Sequence, residues 1–386
     1  MLRFGSVLLL LAAGCNADPV GDAPSTSVTA PLPPGPSALV VGVGGCAGRG
    51  CHGALEGEKP WQTAATGWLK WDKHGRAFAA LQSERSAGII TRLGDGWKPA
   101  PTEARCLACH VAPALADKPS PLHADGVGCE SCHTTPGRAT GDWLTAHWQH
   151  ADTGGAMRSL RTAADRAAAC VGCHVGAAGR EVTHDLIAAG HPRLNFDLLT
   201  YLELMPQHWD TTRDTEAKPA AWQAGQLASA TAALTLAADR AAGPGPWPEL
   251  ADRNCFACHH GLTDPGAAKP AWTSPLVSAP LAAVQSWGEV ERKRLATEDR
   301  ATAAVAWRGL CAKLKPVPLT ADRLAKAATA GAARDWDGAA QAYYALRAAG
   351  QPGTLLAEAL RLPRGASSPT RYDPAAVWKL MAEAGR

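Results

Sequence analysis

The stretch Arg105–His133 carries Cys106-Leu107-Ala108-Cys109-His110 and, after a proline-containing loop, Gly126-Val127-Gly128-Cys129-Glu130-Ser131-Cys132-His133. Each half contains Cys-x-x-Cys-His, the attachment signature of a c-type haem. Two residues between the cysteines bring both sulfurs to one edge of a turn, where they form thioethers to the two vinyl groups of one porphyrin. The histidine that follows is then held under the iron as its proximal ligand. Half of a zinc site is the alternative, because Cys-x-x-Cys pairs are common there. Zinc, however, does not need a histidine directly after every second cysteine. The motif recurs as Cys170-Val171-Gly172-Cys173-His174 and as Cys255-Phe256-Ala257-Cys258-His259.

An irregular fifth site lies upstream, at Cys46-Ala47-Gly48-Arg49-Gly50-Cys51-His52. Four residues separate its cysteines, so the backbone must bulge to keep both sulfurs on one porphyrin edge. Gly48 and Gly50 suit such a bulge because glycine tolerates positive φ. A Cys46–Cys51 disulfide is the alternative. The expectation is five haem c groups, with four at minimum.

Composition supports a cofactor-filled interior. The 386 residues are 46% apolar, yet Phe and Tyr number only four each against 14 Trp. Much of the apolar count is alanine, so side chains alone would build a thin core, and covalently held porphyrins would supply the missing bulk. A net charge of +3 is small for this length and argues neither for nor against nucleic acid. The chain has no basic run or aromatic-basic interleaving, so no nucleic-acid partner is expected. Ten of the 12 cysteines fall in the five motifs, leaving Cys15 and Cys311.

Haem attachment to such motifs happens outside the cytoplasm, so an export signal is expected. Arg3, the apolar run Val7–Leu11 and Ala12-Ala13-Gly14-Cys15 form one. The ending is similar to a bacterial lipobox, which makes Cys15 the expected lipidation site; cleavage without lipidation is the alternative. The expected location is periplasmic or anchored to the outer membrane of a bacterium. No later apolar run is long enough to span a bilayer, so membrane attachment would depend on the N-terminal lipid.

The expected organisation is a signal segment at 1–14, a disordered tether at 15–40, a pentahaem domain at 41–265 and a small helical domain at 266–386. The fold class is mainly α with extensive irregular loops. Helices are expected at Trp68–Leu81, Trp143–Ala151 and Ala220–Ala242, the last ended by Gly243-Pro244-Gly245. Further helices are expected within Leu281–Lys315, after the cap Thr320 as far as Ala330, at Gly338–Ala349 and at Pro374–Gly385. A hairpin around Trp336–Leu346 has no fixed repeat period, so no solenoid is expected. Cys311 sits on an apolar helical face and reads as a packed thiol.

Thirteen histidines are present. Five are proximal: His52, His110, His133, His174 and His259. A second imidazole on the opposite face makes haem iron six-coordinate and suits it to electron transfer. The distal candidates are His74, His123, His147, His184 and His191. His147 and His150 share one helix face and compete for one position, while His208 and His260 are weaker candidates.

Gly126–His133, together with Cys106-Leu107-Ala108-Cys109-His110-Val111, resembles the cytochrome c-554 type, the tetrahaem electron carriers of ammonia oxidisers. His74-Gly75-Arg76-Ala77-Phe78-Ala79-Ala80-Leu81 also looks like that family's His-x-x-Ala-x-x-x-Leu element. The resemblance implies that His74 caps the Cys129/Cys132 haem and that His147 caps the Cys46/Cys51 haem. It also implies that the Cys106/Cys109 haem is the one without a distal ligand, unless His123 fills that place. The segment His184–Phe196, Pro206-Gln207-His208-Trp209 and Cys255–His260 resemble a broader group of bacterial multihaem cytochromes. The first motif's four-residue spacing and the fifth motif have no counterpart in the four-haem carriers.

The expected function is an exported multihaem carrier that passes electrons between redox partner proteins through closely packed, mostly bis-histidine haems, with no catalytic residue. The alternative is an enzyme reducing a small nitrogen or sulfur oxo-species, such as nitrite, nitric oxide or hydroxylamine. Its open haem would be that of Cys106/Cys109, with His123, His191 or Arg193 donating protons or holding the anion.

Overall fold

A computed structural model describes residues 40–57, 59–253, 255, 258, 279–286, 290–291, 299–330 and 336–351. The signal segment, most of the tether, Cys15, His259, His260 and the helix expected at Pro374–Gly385 lie outside them. The architecture is mainly helical with long irregular connections. Among the described residues strand pairing is limited to two isolated bridges, Thr134 with Met157 and Ala177 with Arg180. No described helix is long and apolar enough to cross a membrane.

The motif-bearing part is built from short helices. These are α1 (Ala64–Trp71), α2 (Ala77–Leu81), α3 (Glu84–Leu93), α4 (Ala104–His110), α5 (Cys129–His133), α6 (Leu144–Trp148), α7 (Ala163–His174), α8 (His184–Ala188) and α9 (Leu198–Leu204). The single helix expected over Trp68–Leu81 is broken in two. Asp72 leaves helical geometry, with ψ at 130°, and its carboxylate accepts from both the backbone N and the Nδ1 of His74, each at 2.9 Å. An aspartate that bonds the backbone two residues on competes with the helical ladder. The apolar periodicity is real, but this local bond overrides it. The helix expected over Trp143–Ala151 stops at Trp148, and His150 has a φ of 54°.

The long alanine-rich α10 (Lys218–Ala242) forms as expected and begins with Pro219 in its first turn. It is followed by α11 (Ala279–Val284), α12 (Arg300–Cys311), α13 (Ala321–Ala330) and α14 (Trp336–Ala348). The hydroxyl of Thr320 accepts from Arg323 N at 3.2 Å, the cap expected there. Helix α10 is shared between the two parts of the chain. It packs on α7 and α9 and also on α12 and α14. The α9 contact requires glycine at position 225, because a Cβ there would lie 2.7 Å from the Leu198 side chain. A buried polar link joins the same elements: Gln226 Nε2 donates to Gln341 Oε1 at 2.9 Å, and Gln341 Nε2 to Asn195 Oδ1 at 3.2 Å.

The largest apolar core is the one around Trp222, Leu234, Leu281, Trp307, Leu324 and Leu346. Cys311 belongs to it, with its thiol 3.7 Å from the Thr231 carbonyl. The clusters beside the second and third motifs are far smaller, one of Leu81, Ala100, Leu107 and Val111, the other of Trp143, Leu144 and Ala156.

Candidate haem-binding cavity

The second, third and fourth motifs each occupy a helical turn, which places cysteines three apart on one face. Cys106 and Cys109 lie on α4, whose first turn is capped by Glu103. Cys129 and Cys132 lie on α5, where buried Glu130 fixes the incoming chain by accepting from Val41 N at 2.8 Å, Gly42 N at 3.1 Å and Thr140 Oγ1 at 2.6 Å. Cys170 and Cys173 close α7. Cys255 and Cys258 share a turn closed by a 3.1 Å backbone bond, and the Arg193 guanidinium contacts Cys255 Sγ.

The first site closes differently from expectation. Neither Gly48 nor Gly50 adopts positive φ. The loop is held by Cys51 N to Gly48 O at 2.9 Å, Gly53 N to Gly48 O at 3.0 Å and His52 N to Cys46 O at 3.2 Å. The glycine that the bend requires is Gly53, where a Cβ would fall 1.9 Å from the Ala47 carbonyl oxygen. The eleven described cysteines are all thiols, so Cys46 and Cys51 are not joined.

One continuous cavity of about 2870 Å³ runs past the motifs, and nine of the ten motif cysteines line it. A pocket for one organic ligand takes roughly 300–1,000 Å³, so the space suits several porphyrins. Among the described residues no three His, Cys, Asp or Glu side chains converge as a metal cage would require. The histidines instead meet in twos. The rings of His52 and His147 are centred 6.0 Å apart, those of His74 and His174 5.9 Å, and those of His133 and His208 6.4 Å. An iron–imidazole bond of about 2 Å on each face, plus about 1.1 Å from nitrogen to ring centre, separates two axial imidazoles by roughly 6 Å. The three pairs have the spacing that an iron between them needs.

Hydrogen bonds orient these rings. Nδ1 of His52 lies 2.8 Å from Trp61 O, that of His110 2.7 Å from Ala77 O, that of His191 2.7 Å from Pro192 O, and that of His208 3.1 Å from Pro206 O. His74 Nδ1 lies 2.9 Å from a carboxylate oxygen of Asp72. A ring that donates from Nδ1 keeps Nε2 as a lone-pair donor, the arrangement of metal-bound histidines. Burial pushes the imidazoles of His133 and His174 down to about 4, which keeps them neutral. Burial raises the Asp72 carboxyl, but the side-chain and backbone hydrogen bonds from His74 outweigh it and hold it below the usual carboxylate range.

The remaining candidates separate by geometry. His123 is buried against Phe78, and its Nε2 lies 2.9 Å from Leu115 O, so the nitrogen a haem iron would take is engaged elsewhere. His191 lines the cavity close enough to feel the charge of His110. Its corner is clamped from α3, with Arg85 Nη2 donating to Gly190 O at 2.7 Å and Arg92 Nε to Ala189 O at 2.6 Å. His184 opens α8, its backbone N donating to Glu249 at 2.8 Å. The family likeness implies His74 opposite His133; here His74 meets His174, and His133 meets His208. Sequence reasoning ranked His208 low because it lies 75 residues from His133 in the chain with no local signal beyond the carbonyl of Pro206, two residues before it.

The motifs also touch one another. Cys46 and Cys129 lie close enough to influence each other's proton, as do Cys109 and Cys173, and in each pair the neighbour lowers one thiol and raises the other. Cys132 and Cys170, both pushed up by burial, lie within charge range of each other.

No curated protein and no solved structure matches the chain. Residues 47–134 match the family described as cytochrome c554 and c-prime. That segment, under a quarter of the chain, holds most of the first motif and all of the second and third, and over it the chain is similar to cytochrome c554.

Proposed function

We propose that the chain is an exported electron-transfer protein carrying five haem c groups, most of them held between two histidines. The observation that carries this reading is the set of three histidine pairs at 5.9–6.4 Å along one cavity. Haem c supplies one-electron exchange between ferric and ferrous iron. The cysteines would fix each group to its turn, with His52, His110, His133, His174 and His259 as proximal holders and His147, His74 and His208 as the second histidines for three of them. His191 is assigned opposite His110, with Arg85 and Arg92 holding its corner. His184, whose backbone N meets Glu249 six residues before Cys255, is the candidate left for the fifth motif. His123 is left outside the set because Leu115 engages its Nε2.

The motif contacts support conduction. The cysteines close enough to shift one another's protons, Cys46 with Cys129, Cys132 with Cys170 and Cys173 with Cys109, order the sites as first, third, fourth, second. Arg193, two residues beyond His191, reaches Cys255 and brings the fifth next. Redox proteins on either side would be donor and acceptor. The N-terminal signal and Cys15 would put the carrier outside the cytoplasm, on a membrane through lipid alone.

The rival reading, reduction of a small nitrogen or sulfur oxo-species at the second-motif haem, is favoured by one observation: His123 is withdrawn. It turns on His191. Pyridine haemochrome analysis is expected to give five haems per chain, and electron paramagnetic resonance to show low-spin ferric signals throughout. His191→Ala is expected to convert one haem to high spin. A high-spin haem in the unsubstituted protein that binds nitric oxide would favour the enzyme. A count of four would remove the first or the fifth site.

A further inference from the structure

Five histidines show what their Nδ1 meets. Four of them, His52, His110, His191 and His208, meet a backbone carbonyl. His74 meets the carboxylate of Asp72, which is 5% exposed. We infer that Asp72 lowers the potential of the haem between His74 and His174 below those of the haems held by His52, His110, His191 and His208, whose Nδ1 atoms meet only carbonyls. The inference rests on the reading of His74 as an axial ligand.

The physical argument is one of charge. A carbonyl accepts the Nδ1 proton as a neutral dipole, whereas an ionised carboxylate forms a charge-assisted bond about twice as strong. Drawing that proton toward oxygen gives the ring histidinate character and makes Nε2 a stronger electron donor. A more basic axial ligand stabilises ferric over ferrous iron, so the potential falls. Burial sharpens the effect, because little water screens the negative charge.

The carboxylate is fixed in place. It stands at the end of α1, where its backbone N donates to Trp68 O at 3.2 Å, and it also accepts from His74 N. The kink between α1 and α2 holds it against His74. Asp72 is a positioning residue that acts through His74, not a ligand itself. It also lies within charge range of Cys132 and His208. The third-motif haem should feel the same charge through space, and more weakly, since no hydrogen bond carries it there.

The test is a redox titration of the intact holoprotein followed by electron paramagnetic resonance. Asp72→Asn keeps the shape and removes the charge. The expected result is that one low-potential component moves to higher potential, a second moves the same way by less, and the others stay in place. Haem count and low-spin state should be unchanged. If no component shifts, the inference is overturned. His74→Ala separates that failure from failure of the ligand assignment: one new high-spin haem upholds the assignment, and none removes it along with the inference. If Asp72→Asn does not mature, near-infrared magnetic circular dichroism of the unsubstituted ferric protein asks the same question. One haem with a histidinate-like ligand would give a charge-transfer band at higher energy than the rest. A single uniform band overturns the proposal.

Discussion

Residues 40–160 and the helices from α10 to α14 are held together by different physics. The helical part buries Trp222, Leu234, Trp307, Leu324 and Leu346 in one core, with alanines letting the helices approach closely. The first region has only the small clusters around Leu107 and Trp143. Its order comes from carboxylates and arginines that pin backbone groups: Glu130 on Val41 and Gly42, Asp125 on Val43, Arg92 on Ala189. Such bonds fix geometry but each contributes only about 1 kcal/mol net. Apolar burial is what holds a domain together, and in the first region that burial must come from porphyrins filling the cavity.

The comparison breaks most visibly if haem is withheld. A chain made without haem attachment is expected to lose ordered structure over 40–160 while α10–α14 persist. Limited proteolysis should cut the first region rapidly and leave a helical fragment, and far-ultraviolet circular dichroism should retain the helical signal of that fragment. Equal resistance of both regions would mean that the motif part has a sufficient core of its own.

A smaller effect runs the other way. Trp307 is fully buried and packs on Trp247 with ring centres 5.4 Å apart. Trp307→Ala is expected to cost about 3–5 kcal/mol, read as a lowered denaturant midpoint of the helical signal. The low-spin haem spectrum should survive at concentrations of denaturant that already melt the helices. Simultaneous loss of both signals would show that α10 couples the two regions into a single cooperative unit.

What was legible in the sequence follows the same division. The Cys-x-x-Cys-His turns are local chemistry, and α10 and the Thr320 cap are local propensity, so these could be read directly. The pairing of His133 with His208, and of His74 with His174, depends on how distant turns pack round the cavity, and no local pattern encodes that. The break at Asp72 is an intermediate case. Apolar periodicity argued for one helix through Trp68–Leu81, but the Asp72-Lys73-His74 sequence permits an aspartate to bond two residues ahead, and that bond won. The misreading falls on a residue that bonds a haem-facing histidine, where local rules are most often overridden.

The smallest expected effect tests whether the pins of the motif region work as described. Glu103 caps α4, the helix of the second motif. It accepts from Arg105 Nε at 2.7 Å, Arg105 N at 3.2 Å and Lys98 N at 3.1 Å. The hydrogen bond from the Arg105 side chain is the main reason its carboxyl is lowered to about 2. A carboxyl lowered on folding contributes stability above its unfolded value near 4.5 and loses it as pH falls toward 2. The Arg105 side chain is 51% exposed, so solvent screens the pair, and a capping loss of about 1 kcal/mol is the appropriate scale. Glu103→Gln should therefore speed amide exchange in the peptide spanning α4 about fivefold at neutral pH. The fall in protection, relative to intrinsic exchange, that the unsubstituted protein shows between pH 4.5 and 2 should be absent in the variant. If α4 exchanges identically in both proteins at neutral pH, the haem rather than the cap holds that turn, and the contrast between the two regions becomes sharper still.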